Sequence, residues 1–297
     1  VLENEIAVIL KSSVDLPASD AFTIDAESAE LQQRLDAVTV LYTSGEIDQA
    51  LVTLDQLMIT YPEQAFLYNL QGACFYAQEQ YDIAITSYQK AIELNPEFAE
   101  AHNNLGNILK TRGYLKDALK SYQAALSINP DFTEGYYNLG VVYKELGEYE
   151  TAVEHYEKAI SIKPDYAEAH NNLGLVLNDL GQFDLAILNY NKALSLQSNY
   201  AEAWWNLSLA QLLLGNYQDA WVNYEWRWKK DEFKIREYKQ SIWDGSSLTH
   251  KTVFIYCEQG FGDAIQFIRY IKNLSKPSGT LIVECHSSLY RLFSTLP

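Results

Sequence analysis

The sequence predicts an all-α solenoid of stacked helical hairpins, followed by the opening of an α/β unit. Three observations predict it. Gly72, Gly106, Gly140 and Gly174 recur at a step of 34 residues, and so do Gly113, Gly147, Gly181 and Gly215. Ala50, Ala84, Ala118, Ala152, Ala186 and Ala220 keep that step, as do Tyr88, Tyr122, Tyr156, Tyr190 and Tyr224, with Leu54 in the first unit. Beyond Tyr224 the step is lost, and short β-rich runs alternate with helical periodicity.

Taken in order, residues 1–30 hold seven acids and one base, a net −6, with weak periodicity. They predict a poorly ordered acidic lead-in with one short helix. Six units follow, at 31–64, 65–98, 99–132, 133–166, 167–200 and 201–234. The first glycine of each unit lets the two helices of a hairpin approach closely. The second sits at the turn, where a left-handed backbone excludes a Cβ. The alanine keeps the helix contact tight, and the tyrosine is expected to fill the gap against the next unit. Pro62, Pro96, Pro130 and Pro164 end second helices, with Ser198 replacing the proline in the fifth unit. The first unit is degenerate, with Val38 in the glycine position and Arg34 in the aromatic one. The last drifts, with Ser208 for glycine and Arg227 for the late alanine. Such ends are expected where a stack meets solvent or another unit. Glu79 stands where the second unit needs a turn glycine, and the sequence offers no reason for it.

This combination resembles the tetratricopeptide repeat family, which implies a right-handed superhelix that binds other proteins in a groove lined by the first helix of each unit. The sixth position of each unit then faces the groove and reads Leu70, Asn104, Asn138, Asn172 and Asn206. A carboxamide carries a donor and an acceptor, so four stacked asparagines can satisfy the backbone of an extended peptide whatever its side chains. The column resembles the asparagine ladder of the O-linked N-acetylglucosamine transferase superhelix. The other reading is that these asparagines serve packing inside the repeat. The second position reads Phe66, Glu100, Glu134, Glu168 and Glu202, with Lys110 and Lys144 further along the same helices. An acidic groove wall for a basic or polar extended segment is one reading. A solvated helix N-terminus, where Glu complements the dipole, is the other. The carboxylate clamp of chaperone-binding repeat domains needs Lys and Arg where this chain has Asn and Glu, so no such clamp is expected. His102 and His170, at the fourth position of their units, read as packing residues, His155 stands alone on a second helix and needs no functional account, and no metal site is expected.

The segment Trp221 to Lys230 crowds Trp221, Trp226 and Trp228 onto what reads as one helix capping the solenoid. A polar connector, 235–250, follows. In 251–297, Thr252 to Cys257 reads as a strand, Glu258 to Asp263 as a glycine turn and Ala264 to Leu274 as a helix broken at Pro277 and Gly279. Thr280 to Cys285 reads as a second strand and Ser287 to Leu296 as a second helix. That is the βαβα opening of a parallel sheet. Gly260 and Gly262 can present backbone N–H groups to a phosphate or substrate anion, or serve turn geometry alone. The stretch from Tyr224-Glu225-Trp226-Arg227-Trp228 through Trp243-Asp244-Gly245 and Glu258-Gln259-Gly260-Phe261-Gly262-Asp263 to Gln266-Phe267-Ile268-Arg269-Tyr270 resembles bacterial repeat proteins ending in a glycosyltransferase-like domain. That domain is similar to the heptosyltransferases, whose GT-B architecture has two Rossmann-like halves. The resemblance implies that Asp263 is the catalytic base and that a longer parent uses a sugar nucleotide, while the present residues are an incomplete Rossmann-like segment with no cofactor of their own. As residues alone, Asp263 also fits a helix N-cap.

The net charge of −17 argues against a nucleic-acid partner, because phosphate binding needs clustered Lys and Arg. Residues 235–297 differ, with seven bases and five acids, a net +2. Cys74, Cys257 and Cys285 form no CxxC pair and read as reduced, buried thiols, which with no apolar run long enough to span a bilayer and no leader pattern implies a cytoplasmic protein. The chain starts at Val1 rather than Met and reads as part of a longer product. Three functions are expected from these features. The first is a scaffold that binds an extended protein segment, as the partner-selecting part of a glycosyltransferase-like protein. The second is an active protein glycosyltransferase, and the third an assembly platform for envelope or secretion machinery.

Overall fold

The structure, a computed structural model, describes residues 26–230, 239–243, 245–257, 260–274 and 280–295. Residues 1–25 of the expected lead-in, 231–238 at the end of the sixth unit, Asp244, Glu258, Gln259, Pro277, Gly279 and Leu296 lie outside the described residues. The chain divides into two compact units between residues 234 and 235.

The first unit is a run of antiparallel helical hairpins. The first pair is α1 (Ala26–Thr43) and α2 (Ile47–Thr60), the second α3 (Ala65–Ala77) and α4 (Tyr81–Leu94). The third is α5 (Ala99–Thr111) and α6 (Leu115–Ile128), the fourth α7 (Thr133–Glu145) and α8 (Tyr149–Ile162). The fifth is α9 (Ala167–Asp179) and α10 (Phe183–Leu196), the sixth α11 (Ala201–Leu213) and α12 (Tyr217–Tyr224). The packing of these repeated hairpins is that of an all-α tetratricopeptide solenoid.

The repeat-step residues make this packing. All six alanines from Ala50 to Ala220 are fully buried where the helices of a pair cross. The turns follow one pattern: Gly45, Gly113, Gly147, Gly181 and Gly215 have φ between +73° and +81°. At Gly113 the glycine N–H donates to Lys110 O, and Tyr114 N–H reaches back to Leu109 O, both at 2.8 Å. This closes the free carbonyls of the helix end. Glu79 holds the same turn with φ +60°, the left-handed region that a Cβ disfavours.

The tyrosine packs against the next unit, as its spacing implied, with Tyr122 in one buried cluster with Leu139 and Val142 and Tyr88 in one with Ile108, and it has a second contact that the spacing did not announce. It packs over the first glycine of its own hairpin. A β-carbon on Gly72, Gly106, Gly140 or Gly174 would come within 2.6–2.7 Å of the ring of Tyr88, Tyr122, Tyr156 or Tyr190. The glycine is therefore a seat for the ring.

The sixth hairpin is cut short. Its second helix has 8 residues, where those of the five hairpins before it have 14. A 3₁₀ turn over Glu225–Lys229 follows, so the three tryptophans do not share one helix. Trp226 stacks on Trp204 with centroids 5.4 Å apart, and the Lys229 ammonium lies 3.7 Å from the Trp226 ring centre. The buried Arg227 guanidinium lies 4.2 Å from the Trp228 ring centre and donates to Glu225 Oε1 at 2.8 Å. Aromatic and cationic side chains thus close the solenoid end.

Among the described residues the second unit has two parallel strands, β1 (Thr252–Tyr256) and β2 (Thr280–Glu284), in register from Thr252↔Thr280 to Tyr256↔Glu284. Between them runs α13 (Phe261–Phe267), a 3₁₀ turn Ile268–Tyr270 and α14 (Ile271–Leu274). A 3₁₀ turn Ser287–Leu289 and α15 (Tyr290–Phe293) follow β2. The helix begins inside the expected glycine turn, at Phe261 rather than Ala264. Two strands are a smaller sheet than a Rossmann-like half requires, and Phe254 and Ile282 stay exposed on it.

Candidate functional site

The first helices of successive hairpins pack beside one another, α3 on α5, α5 on α7, α7 on α9 and α9 on α11. They therefore line the inner side of the curve. α3 enters from Gln64, and α5, α7, α9 and α11 enter from an aromatic residue, Phe98, Phe132, Tyr166 or Tyr200, after a second helix has ended. In the second, third, fifth and sixth units the fourth-position side chain caps that ended helix. Tyr68 donates to Pro62 O and Trp204 to Ser198 O. A ring nitrogen of His102 pairs with Pro96 O and one of His170 with Pro164 O, all at 2.9–3.2 Å. The two histidines are packing residues, and no cluster among the described residues could hold a metal ion.

The sixth-position asparagines form a ladder, and its rungs run to the fifth position of the preceding unit. Asn104 Nδ2 donates to Asn69 Oδ1 at 3.1 Å, Asn138 to Asn103 at 2.9 Å and Asn206 to Asn171 at 3.0 Å. Asn172 donates to the Tyr137 hydroxyl at 2.8 Å. Each carboxamide thus commits its donor to the neighbouring unit. Its oxygen takes no hydrogen bond among the described residues and is not sealed from solvent. Packing and an open acceptor coexist in one side chain. The first rung is apolar, with Leu70 and Leu35 in one cluster.

Glu100, Glu134 and Glu168 are partly buried, and Glu202 is exposed. Burial raises the Glu100 pKa, and the nearby Glu134 charge adds to the rise against a backbone hydrogen bond that lowers it. Lys110 and Lys144 lie in the last turns of α5 and α7, ten residues beyond Glu100 and Glu134. At the helix rise that is about 15 Å away. The structure does not bring these lysines to the glutamates; at a helix C-terminus they complement the dipole.

Sequence reasoning missed the tyrosines here. Tyr137 lies 5.0 Å from Tyr166, ring centre to ring centre. Burial, then the Glu168 charge, pushes the Tyr137 hydroxyl up to about 12 against the Asn172 hydrogen bond. Burial likewise raises Tyr166 and Tyr200. Their signal was the aromatic closing each unit at Phe98, Phe132, Tyr166 and Tyr200.

In the second unit Gly260 is the N-cap of α13, with no side-chain cap. Gly262 and Asp263 lie inside the helix, both exposed. Asp263 is therefore a first-turn acid rather than the N-cap. A Cβ at Gly260 or Gly262 would meet nothing within 4 Å. Cys74 is buried, but Cys257 and Cys285 are only half-buried. No described helix is long and apolar enough to cross a membrane.

A family model described as "TPR repeat" matches residues 72–113, 106–147, 142–180 and 175–215. No curated protein matches the chain. Among solved structures, a MamA protein is similar at 26% identity and a TM-score of 0.50, over 61% of this chain and 98% of that one. A thermophilic TPR protein of Thermus thermophilus is similar at 21% identity and a TM-score of 0.52, over 61% and 98%. The Pseudomonas aeruginosa protein pilF is similar at 17% identity and a TM-score of 0.62, over 69% and 93%. The last two likenesses are of fold.

Proposed function

Since this chain carries tetratricopeptide repeats, we propose that it is a protein-binding scaffold that takes an extended segment along the inner face of its first helices. The observation that carries this reading is the state of the asparagine column. Asn104, Asn138 and Asn206 are buried side chains that each donate one N–H to the preceding unit, while their oxygens take no hydrogen bond among the described residues. A row of carbonyl acceptors at the repeat spacing meets the N–H groups of an extended backbone without reading its side chains.

The test is selection from a library of random displayed dodecapeptides, followed by anisotropy with the selected sequences. Asn138→Ala with Asn172→Ala is expected to weaken their binding about tenfold. Unchanged affinity in a variant with wild-type helicity removes the column from the binding surface.

A second reading, a sugar-nucleotide glycosyltransferase for which the repeats select protein acceptors, has two supports. One is the parallel strand–helix–strand unit; the other is Asp263, exposed in the first turn after β1. On this reading Asp263 takes a proton from an acceptor hydroxyl. Label transfer from sugar nucleotides by a longer chain, lost in Asp263→Asn, supports it; transfer that persists in that variant rejects Asp263 as the base.

A further inference from the structure

β1 and β2 run parallel, and their register ends with Tyr256 opposite Glu284. The next residue on each is a cysteine, Cys257 and Cys285, so the two thiols leave the sheet side by side. Side chains alternate faces along a strand. Val253 and Ile255, opposite Leu281 and Val283, therefore share one face, and the alternation carries both cysteines onto it. It is the more covered face. Val253 is buried and Ile255, Leu281 and Val283 are half-buried, whereas Phe254 and Ile282 on the other face are exposed.

The two chain segments stay together beyond the strands. His286, which follows Cys285, packs on Phe261 at the start of α13, with ring centres 4.8 Å apart. Neighbouring strands lie about 4.8 Å apart, and a disulfide spans Cα atoms about 4.4–6.8 Å apart. Opposed positions at the end of this ladder fall inside that range. The Cys285 charge is also among the causes, after burial, that raise the Cys257 pKa. Both thiols are free and half-buried, within reach of a small reagent. Cys74 differs: burial pushes its thiol up to about 12, so it forms little of the thiolate that exchange requires. Among the described residues no group of three His, Cys, Asp or Glu could hold a metal ion, which leaves the pair a dithiol.

We propose that Cys257 and Cys285 are a redox pair that closes into a disulfide on meeting a small-molecule disulfide such as oxidised glutathione, locking β1 to β2. One thiolate attacks a sulfur of the glutathione disulfide, which forms a mixed disulfide and releases one glutathione thiolate. The second cysteine loses its proton and attacks the protein sulfur of that mixed disulfide. The protein S–S bond forms, and the second glutathione thiolate leaves. Two protein thiols are oxidised, one glutathione disulfide is reduced to two thiols, and the cysteine protons pass to the departing thiolates. The bond ties a small, open sheet, the kind of unit whose own core gives it little stability. The closed loop contains α13 and Arg269, which is exposed. The proposal stands apart from both functional readings above.

The experiment uses the whole chain as wild type, Cys74→Ser, Cys257→Ser and Cys285→Ser, each reduced, incubated with oxidised glutathione and then alkylated. Intact mass and peptide mapping read the products, and circular dichroism checks helicity. Wild type and Cys74→Ser are expected to lose the mass of two hydrogens as monomers and to yield a peptide linked from Cys257 to Cys285. Cys257→Ser and Cys285→Ser are each expected to stop at a single glutathione adduct on the remaining cysteine of the pair. Trypsin is expected to cut the oxidised wild type at Arg269 about tenfold more slowly than the reduced form. Wild type that keeps three alkylatable thiols overturns the proposal, as do glutathione adducts held on both cysteines or bonds between chains. These outcomes are read on the wild type, so they stand even where a variant fails to fold. Equal cleavage of the oxidised and reduced forms overturns the locking of the strands.

Discussion

The ring of Tyr122 occupies the space that a β-carbon on Gly106 would need, with Cε1 2.6 Å from that position. Tyr122 is fully buried, and its hydroxyl donates to Asn107 Oδ1 at 2.8 Å, so the ring has nowhere to swing. Gly106→Ala is expected to destabilise by about 1–3 kcal/mol through overpacking, outweighing the helix-propensity gain of about 0.5–1 kcal/mol. Urea unfolding measures it. A midpoint at or above wild type would mean that the ring is not seated as described.

Glu79 is the reverse case. It takes φ +60° where five other turns have glycine. Glu79→Gly is expected to stabilise by about 1 kcal/mol by removing the left-handed penalty. The opposite change at the equivalent turn, Gly113→Ala at φ +78°, is expected to cost a similar amount. Matched shifts of opposite sign in the denaturation midpoint check the pair.

The rung from Asn104 to Asn69 separates packing from function. Asn104→Leu alone leaves the buried Asn69 without a partner for Oδ1, beside an Nδ2 that already has none, at about 1–3 kcal/mol. Asn69→Leu with Asn104→Leu is expected to recover most of that loss, because Leu35 and Leu70 already form an apolar rung one unit earlier. A double-mutant cycle in urea reads the coupling, and additive losses would reject it.

Two groups set opposite pH slopes. The Glu100 pKa is raised, chiefly by burial, so its contribution is present at acid pH and is lost as pH rises through the folded value. Glu100→Gln is accordingly expected to stabilise at pH 7 and to give no gain at pH 3, where the wild-type carboxyl is protonated.

The His155 pKa is lowered by burial, against an opposing Glu154 charge, while the ring stacks on Tyr143 at 5.1 Å. Its contribution is present above the unfolded value of about 6.5 and falls away as pH drops through the folded value. His155→Phe keeps the stack and is expected to flatten thermal stability between pH 7 and pH 5. An unchanged slope would assign the effect to other groups.

Much of the candidate site was legible as columns. Asn104, Asn138, Asn172 and Asn206 were found by their step, and the structure puts all four on the inner helices. Their partners were not, because Asn69, Asn103, Tyr137 and Asn171 lie 35 residues back, one off the repeat, with a phenol breaking the run of carboxamides. Lys110 and Lys144 were read as lying further along the same helices, and the structure puts them in the last turns of those helices. In the second unit, the parallel strands were legible from their apolar runs. The start of α13 was not, because Gly260 and Gly262 read as a turn, whereas only Gly260 is a helix boundary.

The sequence by itself determined the repeat, the helical hairpins and the turn positions. Each depends on local chemistry: a left-handed turn favours glycine, a helix ends before proline, and a close crossing favours alanine. Tertiary structure decided which residue each side chain serves. It seats Tyr122 on its own hairpin's glycine and commits the asparagine donors to the neighbouring unit. It also sets the Tyr137 ring against Tyr166 and ties its hydroxyl to Asn172 of the next unit. Those pairings depend on the angle at which one hairpin stacks on the next, a property of packing that no single window of sequence contains.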